Sequence, residues 1–238
     1  MIEFRNVSFS YENKRPVIQD LSFRIEDGES VGLIGANGAG KSTVMKLLLG
    51  LVTGEGEILV DDLPVNKNNL SVIRRKLGFV LQNSDNQMFM PTVYEDIVFA
   101  PLNYGMSREE ADRRAEEVLE SLGLTDLKYR HNHKLSGGEK RMAAIATILA
   151  MGPEAVLMDE PTSALDPYNR RIVINTIRSM KQTRIITSHD LDMILDTCGR
   201  VILLSEGRIA ADGAAQTILQ DRELLKSNRM ELPLRLQK

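Results

Sequence analysis

The stretch "SVGLIGANGAGKST", residues 30–43, joins an apolar run to a glycine-rich loop and then to a lysine followed by two hydroxyl residues. Ser30 to Ile34 read as a buried strand, and Met45, Leu47, Leu48 and Leu49 read as the packed face of a helix that Gly50 stops. Strand, glycine loop and helix, in that order, are the context in which a G-x-x-x-x-G-K-[ST] pattern holds phosphate. The glycines let consecutive amides turn inward around a β-phosphate, Lys41 neutralises the β/γ oxygens, and the Ser42 hydroxyl is placed to ligate Mg²⁺. The expected nucleotide-binding set is therefore Gly35, Ala36, Asn37, Gly38, Ala39, Gly40, Lys41, Ser42 and Thr43. A glycine turn that merely precedes a lysine needs no such strand and helix around it.

Three other apolar runs end in chemistry. "AVLMDEP" ends at Asp159 and Glu160, "RIITSH" at His189, and "GFVLQ" at Gln82. Ligands of open α/β sheets collect at the carboxyl ends of strands, the edge where the phosphate loop lies. Neighbouring strand residues point opposite ways, so the two acids take different tasks. Asp159 suits a metal's water shell, and Glu160 can face an attacking water. Gln82 brings a neutral amide able to touch both metal-bound water and nucleophile. Taken singly, His189 is more often a hydrogen-bonded structural histidine or a helix N-cap neighbour; three companions at the same edge make it a candidate catalytic group. Tyr11, in an early turn, offers a ring for an adenine face. His131 and His133 read as exposed residues of a polar loop without partners.

"LSGGEKR", residues 135–141, is a second candidate anion site. As helix grammar it is a capping box, Ser136 with Glu139. Yet Gly137 and Gly138 each cost a helix roughly 1 kcal/mol relative to alanine, and they leave bare amides where the dipole is positive. An anion can approach there.

Around these motifs the chain alternates strand and helix, which implies an α/β layer fold with a mostly parallel sheet. Ile2 and Phe4, then Val7 and Phe9 after a slip of register, then Leu21, Phe23 and Ile25 predict short antiparallel strands at the N-terminal end. Capping-box pairs at Thr92/Glu95 and Ser107/Glu110, and apolar residues Ala111, Ala115, Val118, Leu119 and Leu122, predict helices between residues 83 and 152. This gives one domain over 1–238: a nucleotide-binding core with a β-subdomain (1–82 and 153–238) and an inserted helical subdomain (83–152). Asp166 and Pro167 predict the start of a helix running to Met180, "RVILLSEGRIAADG" predicts a hairpin turning at Glu206 and Gly207, and one C-terminal helix is expected over Ala214–Lys226.

The chain has 238 residues, 42% of them hydrophobic, enough for a sizeable core. Its 30 basic and 33 acidic side chains leave a formal charge of -3, so no global positive field draws nucleic acid, and none is expected as a partner. Cys198 is the one cysteine, which excludes an internal disulfide or thiolate metal cluster and suits a reducing compartment as small core filler. No stretch reaches the roughly 18 apolar residues of a spanning helix, and no signal peptide is visible.

In order, "GANGAGKST", Gln82, "LSGGEKR", "AVLMDEP", "SALD" at 163–166 and His189 resemble the ATPase subunit of an ABC transporter, over essentially the whole chain. That resemblance implies ATP and Mg²⁺ as cofactors, with Ser42, Gln82 and Asp159 around the metal and Glu160, His189 and Gln82 as catalytic residues. It also implies two ATPase domains facing head to tail, as a homodimer or with a paralogous ATPase. Leu135, Ser136, Gly137, Gly138 and Glu139 of one would then close on the γ-phosphate held by the other, and Asp166 would lie across the same interface. Glu139 stands where the family most often has glutamine, and Met142 where a basic residue is common. The run "LQNSDNQMFMPTVYEDIVFAP", residues 81–101, is similar to ATPases of energy-coupling-factor importers, including cobalt and nickel systems, with Ser84 in place of their usual proline. It implies an integral membrane partner docking beside Gln82, with Met88, Phe89 and Met90 as adaptable contacts, and a peripheral place on the cytoplasmic face. A non-transport ABC ATPase acting on DNA or ribosomes is the alternative; such proteins usually carry two motif sets, coiled coils or basic extensions. A G protein fits less well, because "NKNN" at 66–69 lacks the aspartate that reads guanine.

Overall fold

The computed structural model describes residues 1–11 and 16–237. One sheet is antiparallel, with β1 (Ile2–Phe9), β2 (Ile18–Ile25), β4 (Glu55–Val60) and β5 (Leu63–Pro64) in the order β2-β1-β4-β5. The slip read in the N-terminal alternation is present: β1–β2 pairing shifts between Phe4 and Val7, where Asn6 takes a φ of 49°. The extra residue returns Val7 to the buried face shared by Ile2 and Phe4.

The second sheet runs β10-β9-β3-β8-β7-β6. Its members are β3 (Ser30–Ile34), β6 (Leu77–Val80), β7 (Ala155–Asp159), β8 (Thr183–Thr187), β9 (Arg200–Ser205) and β10 (Arg208–Ala214). All neighbours pair in parallel except β9 and β10. That hairpin turns at Glu206 and Gly207, with φ of 48° and 79°, because two left-handed residues match the twist of the flanking strands.

Both faces of this sheet are covered, which is why its strands read as continuous apolar runs. Val156 and Met158 of β7 pack toward α5 (Gly137–Leu149), α6 (Pro167–Ser179) and α7 (Leu191–Thr197). Ala155 and Leu157 pack toward α1 (Lys41–Leu48) and the antiparallel sheet. Cys198 is buried in the first of these cores.

Between β6 and β7 the chain forms α3 (Val93–Asn103) and α4 (Arg108–Ser121) before α5; α2 (Leu70–Lys76) precedes β6. Thr92 and Glu95 close a full capping box. Ser107 and Glu110 close half of one: the Ser107 hydroxyl accepts from the Glu110 amide at 3.2 Å, but the Glu110 carboxylate turns to Arg114 at 3.5 Å instead. Ala111, Ala115 and Leu119 form the buried stripe of α4, flanked by the partly buried Val118 and Leu122.

The C-terminal helix expected over 214–226 is two helices, α8 (Ala215–Gln220) and α9 (Arg222–Ser227). Asp221 breaks it by capping the Leu224 amide at 2.9 Å, the competition with the helix ladder that short polar side chains offer. The strand order sets the carboxyl ends of β3, β8, β7 and β6 side by side.

Candidate functional site

At that edge lies a cleft of about 280 Å³ lined by Val17, Asn37, Gly38, Gly40, Lys41, Ser42, Thr43, Gln82, Asp159, Glu160 and His189. Gly35 opens the loop with a φ of 149° and a backbone so close to β9 that a Cβ would stand 2.3 Å from the Leu204 carbonyl oxygen. Gly40 caps α1 in the left-handed region, φ 109°. Ala39 is buried behind the loop, its amide donating to Ala36 at 3.1 Å. Lys41 is buried too, with Nζ donating to the Gly35 carbonyl at 2.7 Å and the Ala36 carbonyl at 3.2 Å. Burial lowers its pKa, and the nearby Glu160 and Asp159 carboxylates oppose that fall.

Asp159 ends β7, where its Oδ2 accepts from the Ser42 hydroxyl at 3.3 Å and its Oδ1 from the Thr187 hydroxyl at 2.5 Å. Glu160 does not continue the strand. Its φ is 49°, a left-handed conformation rare outside glycine, and it swings the second carboxylate into the cleft that holds the first. The opposite-facing geometry expected of neighbouring strand residues is thereby corrected. Glu160 Oε2 accepts from the Ser188 hydroxyl and the His189 amide, both at 3.1 Å. Oε1 is buried and has no hydrogen-bond donor among the described residues; His189 Nε2 stands 3.5 Å from it. Thr187 and Ser188, which orient the two acids, escaped the sequence reading although they stand beside His189 in the same strand-end run.

Gln82 lies two residues beyond β6, because the Leu81 amide donates to the Gln87 side chain at 3.0 Å and leaves the ladder. Its backbone carbonyl and that of Leu81 accept from Arg141. Arg141 was also missed; its spacing from the buried Gly138 and Ile145 on α5 was the available signal.

The remaining predicted residues stand outside the cleft. Tyr11 packs edge-on against Phe9, centroids 4.7 Å apart. Ser136 and Glu139 form the expected capping box, which, with Arg130, holds the Glu139 carboxyl below its ordinary range, the Ser136 amide being the largest cause. The two glycines differ. A Cβ on Gly137 meets nothing within 4 Å among the described residues, whereas one on Gly138 would meet Asn169. The space a side chain would take at Gly138 is thus filled by packing within the chain, and of the two glycines it is Gly137 that is exposed. Leu135 is buried beneath this turn. Asp166 caps α6, accepting from the Tyr168 and Asn169 amides at 2.9 and 3.1 Å. His131 and His133 are exposed, as expected, but have partners: they stack at 5.4 Å, and His131 Nδ1 lies 3.3 Å from the Pro91 carbonyl.

A larger groove of about 990 Å³ runs beside the cleft, between His189–Asp192 and the segment 229–237. Much of its charge is internally paired, Arg235 with Asp192 and Asp196, and Arg171 with Asp196, and Lys41, Ser42 and both acids line the smaller cleft instead.

The profile of the family described as ABC transporter matches residues 18–163. The chain belongs to the ABC transporter family. It is 45% identical over 238 residues to an ABC transporter ATP-binding protein of Geobacter sulfurreducens, covering 100% of this chain and 96% of that one. It is 41% identical over 239 residues to the energy-coupling factor transporter ATP-binding protein EcfA of Methanothermobacter thermautotrophicus, covering 98% and 77%. Among solved structures, CbiO1 of Clostridium perfringens, described as part of the ABC transporter complex CbiONQ, superposes with a TM-score of 0.86 at 29% identity, covering 95% and 93%. The bacterial cassette MJ0796, solved as a dimer, superposes with a TM-score of 0.79 at 28% identity, covering 90% and 99%; another of its structures is a post-hydrolysis dimer bound to ADP and Pi.

As an ABC ATPase, the chain binds ATP with Mg²⁺ and hydrolyses it. The Ser42 hydroxyl, the Asp159 carboxylate and the Gln82 amide oxygen are hard donors of the kind Mg²⁺ takes. No group of three His, Cys, Asp or Glu placed to hold a metal ion by itself is found among the described residues, so a metal here would draw its remaining positions from nucleotide phosphates and water. No helix among the described residues is long and apolar enough to cross a membrane.

Proposed function

We propose that this ABC ATPase powers a multi-component importer of the energy-coupling-factor type, taking up cobalt, nickel or a vitamin. It works as a pair of ATPase subunits, two copies or a copy and a paralogue, beneath an integral membrane subunit on the cytoplasmic face. The similarity to EcfA and to CbiO1 supports the importer class.

The observation that carries the reading is how the motifs divide. Within one chain Lys41, Ser42, Gln82, Asp159, Glu160 and His189 line one cleft, while Ser136, Gly137 and Asp166 lie outside it. A γ-phosphate held on the first set has room for amides from a second molecule. The open turn at Gly137 is the surface to supply them. Since each copy keeps both halves, a pair has two complete sites.

In this reading the loop amides and Lys41 hold the phosphates. Ser42, Asp159 and Gln82 hold Mg²⁺, which when bound neutralises charge developing on the phosphoryl oxygens. Glu160 Oε1, free of donors among the described residues, accepts a hydrogen bond from the attacking water while Ser188 and His189 steady Oε2. His189 reaches the γ-phosphate. The helical subdomain over 83–152 carries the Gly137 turn toward the partner's nucleotide.

Glu160→Gln tests this. ATP binding should persist, turnover should fall by about 10²- to 10⁴-fold, and an ATP-dependent dimer should accumulate on size exclusion. Unimpaired hydrolysis refutes the assignment.

A further inference from the structure

The segment from Leu81 to Met90 is tied to α5 and to the turn before it. Gln87 Nε2 donates to the Ala144 carbonyl at 2.7 Å and to the Thr147 hydroxyl at 3.0 Å. Lys140 pairs with Asp85, and Asn132 donates to the Met90 carbonyl at 2.6 Å. Deepest is Arg141, 4% exposed, whose Nη1 donates to the Leu81 carbonyl at 2.6 Å and whose Nη2 donates to the Gln82 carbonyl. No carboxylate pairs with this guanidinium among the described residues, and its Nε has no acceptor there; burial alone depresses its pKa.

An unpaired buried cation is costly, and a nonpolar side chain of similar volume would fill the same space. What arginine adds is a rigid fork matched to two adjacent carbonyls. The Gln82 side chain, by contrast, makes no hydrogen bond to a described residue, and the residue is exposed. Its entry into the cleft is set by its backbone, and that backbone sits in the fork.

We propose that Arg141 is a positioning residue for Gln82: through the Leu81 and Gln82 carbonyls it makes the placement of the Gln82 amide in the nucleotide cleft depend on the orientation of the helix that begins at Gly137. The inference rests on the reading of the site given above and names a determinant within it. Lysine, a point charge, replaces at most part of the fork.

The test uses the full chain with Arg141→Met, Arg141→Lys, Gln82→Ala and the double variant Arg141→Met/Gln82→Ala. Arg141→Met should lower kcat about tenfold or more with KM for ATP within about twofold, Arg141→Lys should fall between, and the double variant should be no slower than Gln82→Ala. Losses that multiply overturn the proposal. Hydrogen exchange supplies a readout independent of turnover: amides 81–83 should exchange at least about tenfold faster in Arg141→Met while 35–43 hold steady. Unchanged exchange at 81–83 overturns the proposal even if hydrolysis stands. A wild-type chain that fails to hydrolyse ATP, with exchange altered as described, defeats the functional reading and leaves the positioning intact. Should Arg141→Met not fold, Arg141→Lys carries the same cycle, and multiplied losses again overturn it.

Discussion

A Cβ built on Gly138 would stand 2.1 Å from Cγ of Asn169. Asn169 cannot swing away freely, because its Nδ2 donates to Asp166 Oδ2 at 2.5 Å. The first turn of α5 is thereby seated on the first turn of α6 through a contact that only glycine permits.

Gly138→Ala should therefore lower stability by about 1–3 kcal/mol through overpacking. Adding Asn169→Ala should recover part of that, while Gly137→Ala should leave stability unchanged or slightly raised. Gly137→Asp should fold and bind nucleotide as a monomer yet fail to form the ATP-dependent dimer. Urea unfolding and size exclusion read these outcomes, and equal costs at the two glycines would contradict the distinction.

Acid should expose a tie between the two sheets. Burial pushes the Asp61 carboxyl up, but hydrogen bonds and charge from Lys76 Nζ and the Met1 amine, each at 2.6 Å, outweigh it and bring its pKa from 3.8 to about 2. A carboxyl depressed in the folded state stabilises above its unfolded value of about 3.9 and loses that contribution as pH falls toward about 2. With the side chain 30% exposed, solvent trims the effect to about 1–2 kcal/mol. Asp61→Asn should be less stable than wild type by that amount at pH 7, and the gap in urea midpoint should narrow only below about pH 4. A gap that stays constant down to pH 3 would show that the pairing is not its source.

Phe89 and Phe99 meet edge to face at 4.9 Å and are 63% and 38% exposed, an apolar pair on the segment that follows Gln82. Phe89→Ser with Phe99→Ser should leave folding and the isolated ATPase nearly unchanged but reduce co-purification of the membrane subunit by about tenfold or more. Undiminished recovery of the complex would remove this surface from the docking site.

Much of the site was legible because its chemistry is local: Lys41, Ser42, Asp159 and His189 sit at fixed offsets from apolar runs whose ends the periodicity marks. The same holds for the capping box at Ser136 and Glu139 and for the hairpin at Glu206 and Gly207. Where reading by period failed, one residue had left its period. Glu160 is left-handed, so strand alternation misplaced it, and Asp221 caps a new helix inside the span expected to be one helix.

By itself the sequence determined the alternation of strands and helices through most of the chain, the phosphate loop, and which polar residues end the apolar runs, since each depends on spacing within a few turns of chain. Tertiary structure alone decided which partners meet across 28, 31 or 60 residues: Ser188 with Glu160, Asn169 with Gly138, Arg141 with Leu81. Such contacts follow from strand order and helix packing, which side-chain periodicity does not encode, because many pairings of the same amphipathic elements bury the same faces.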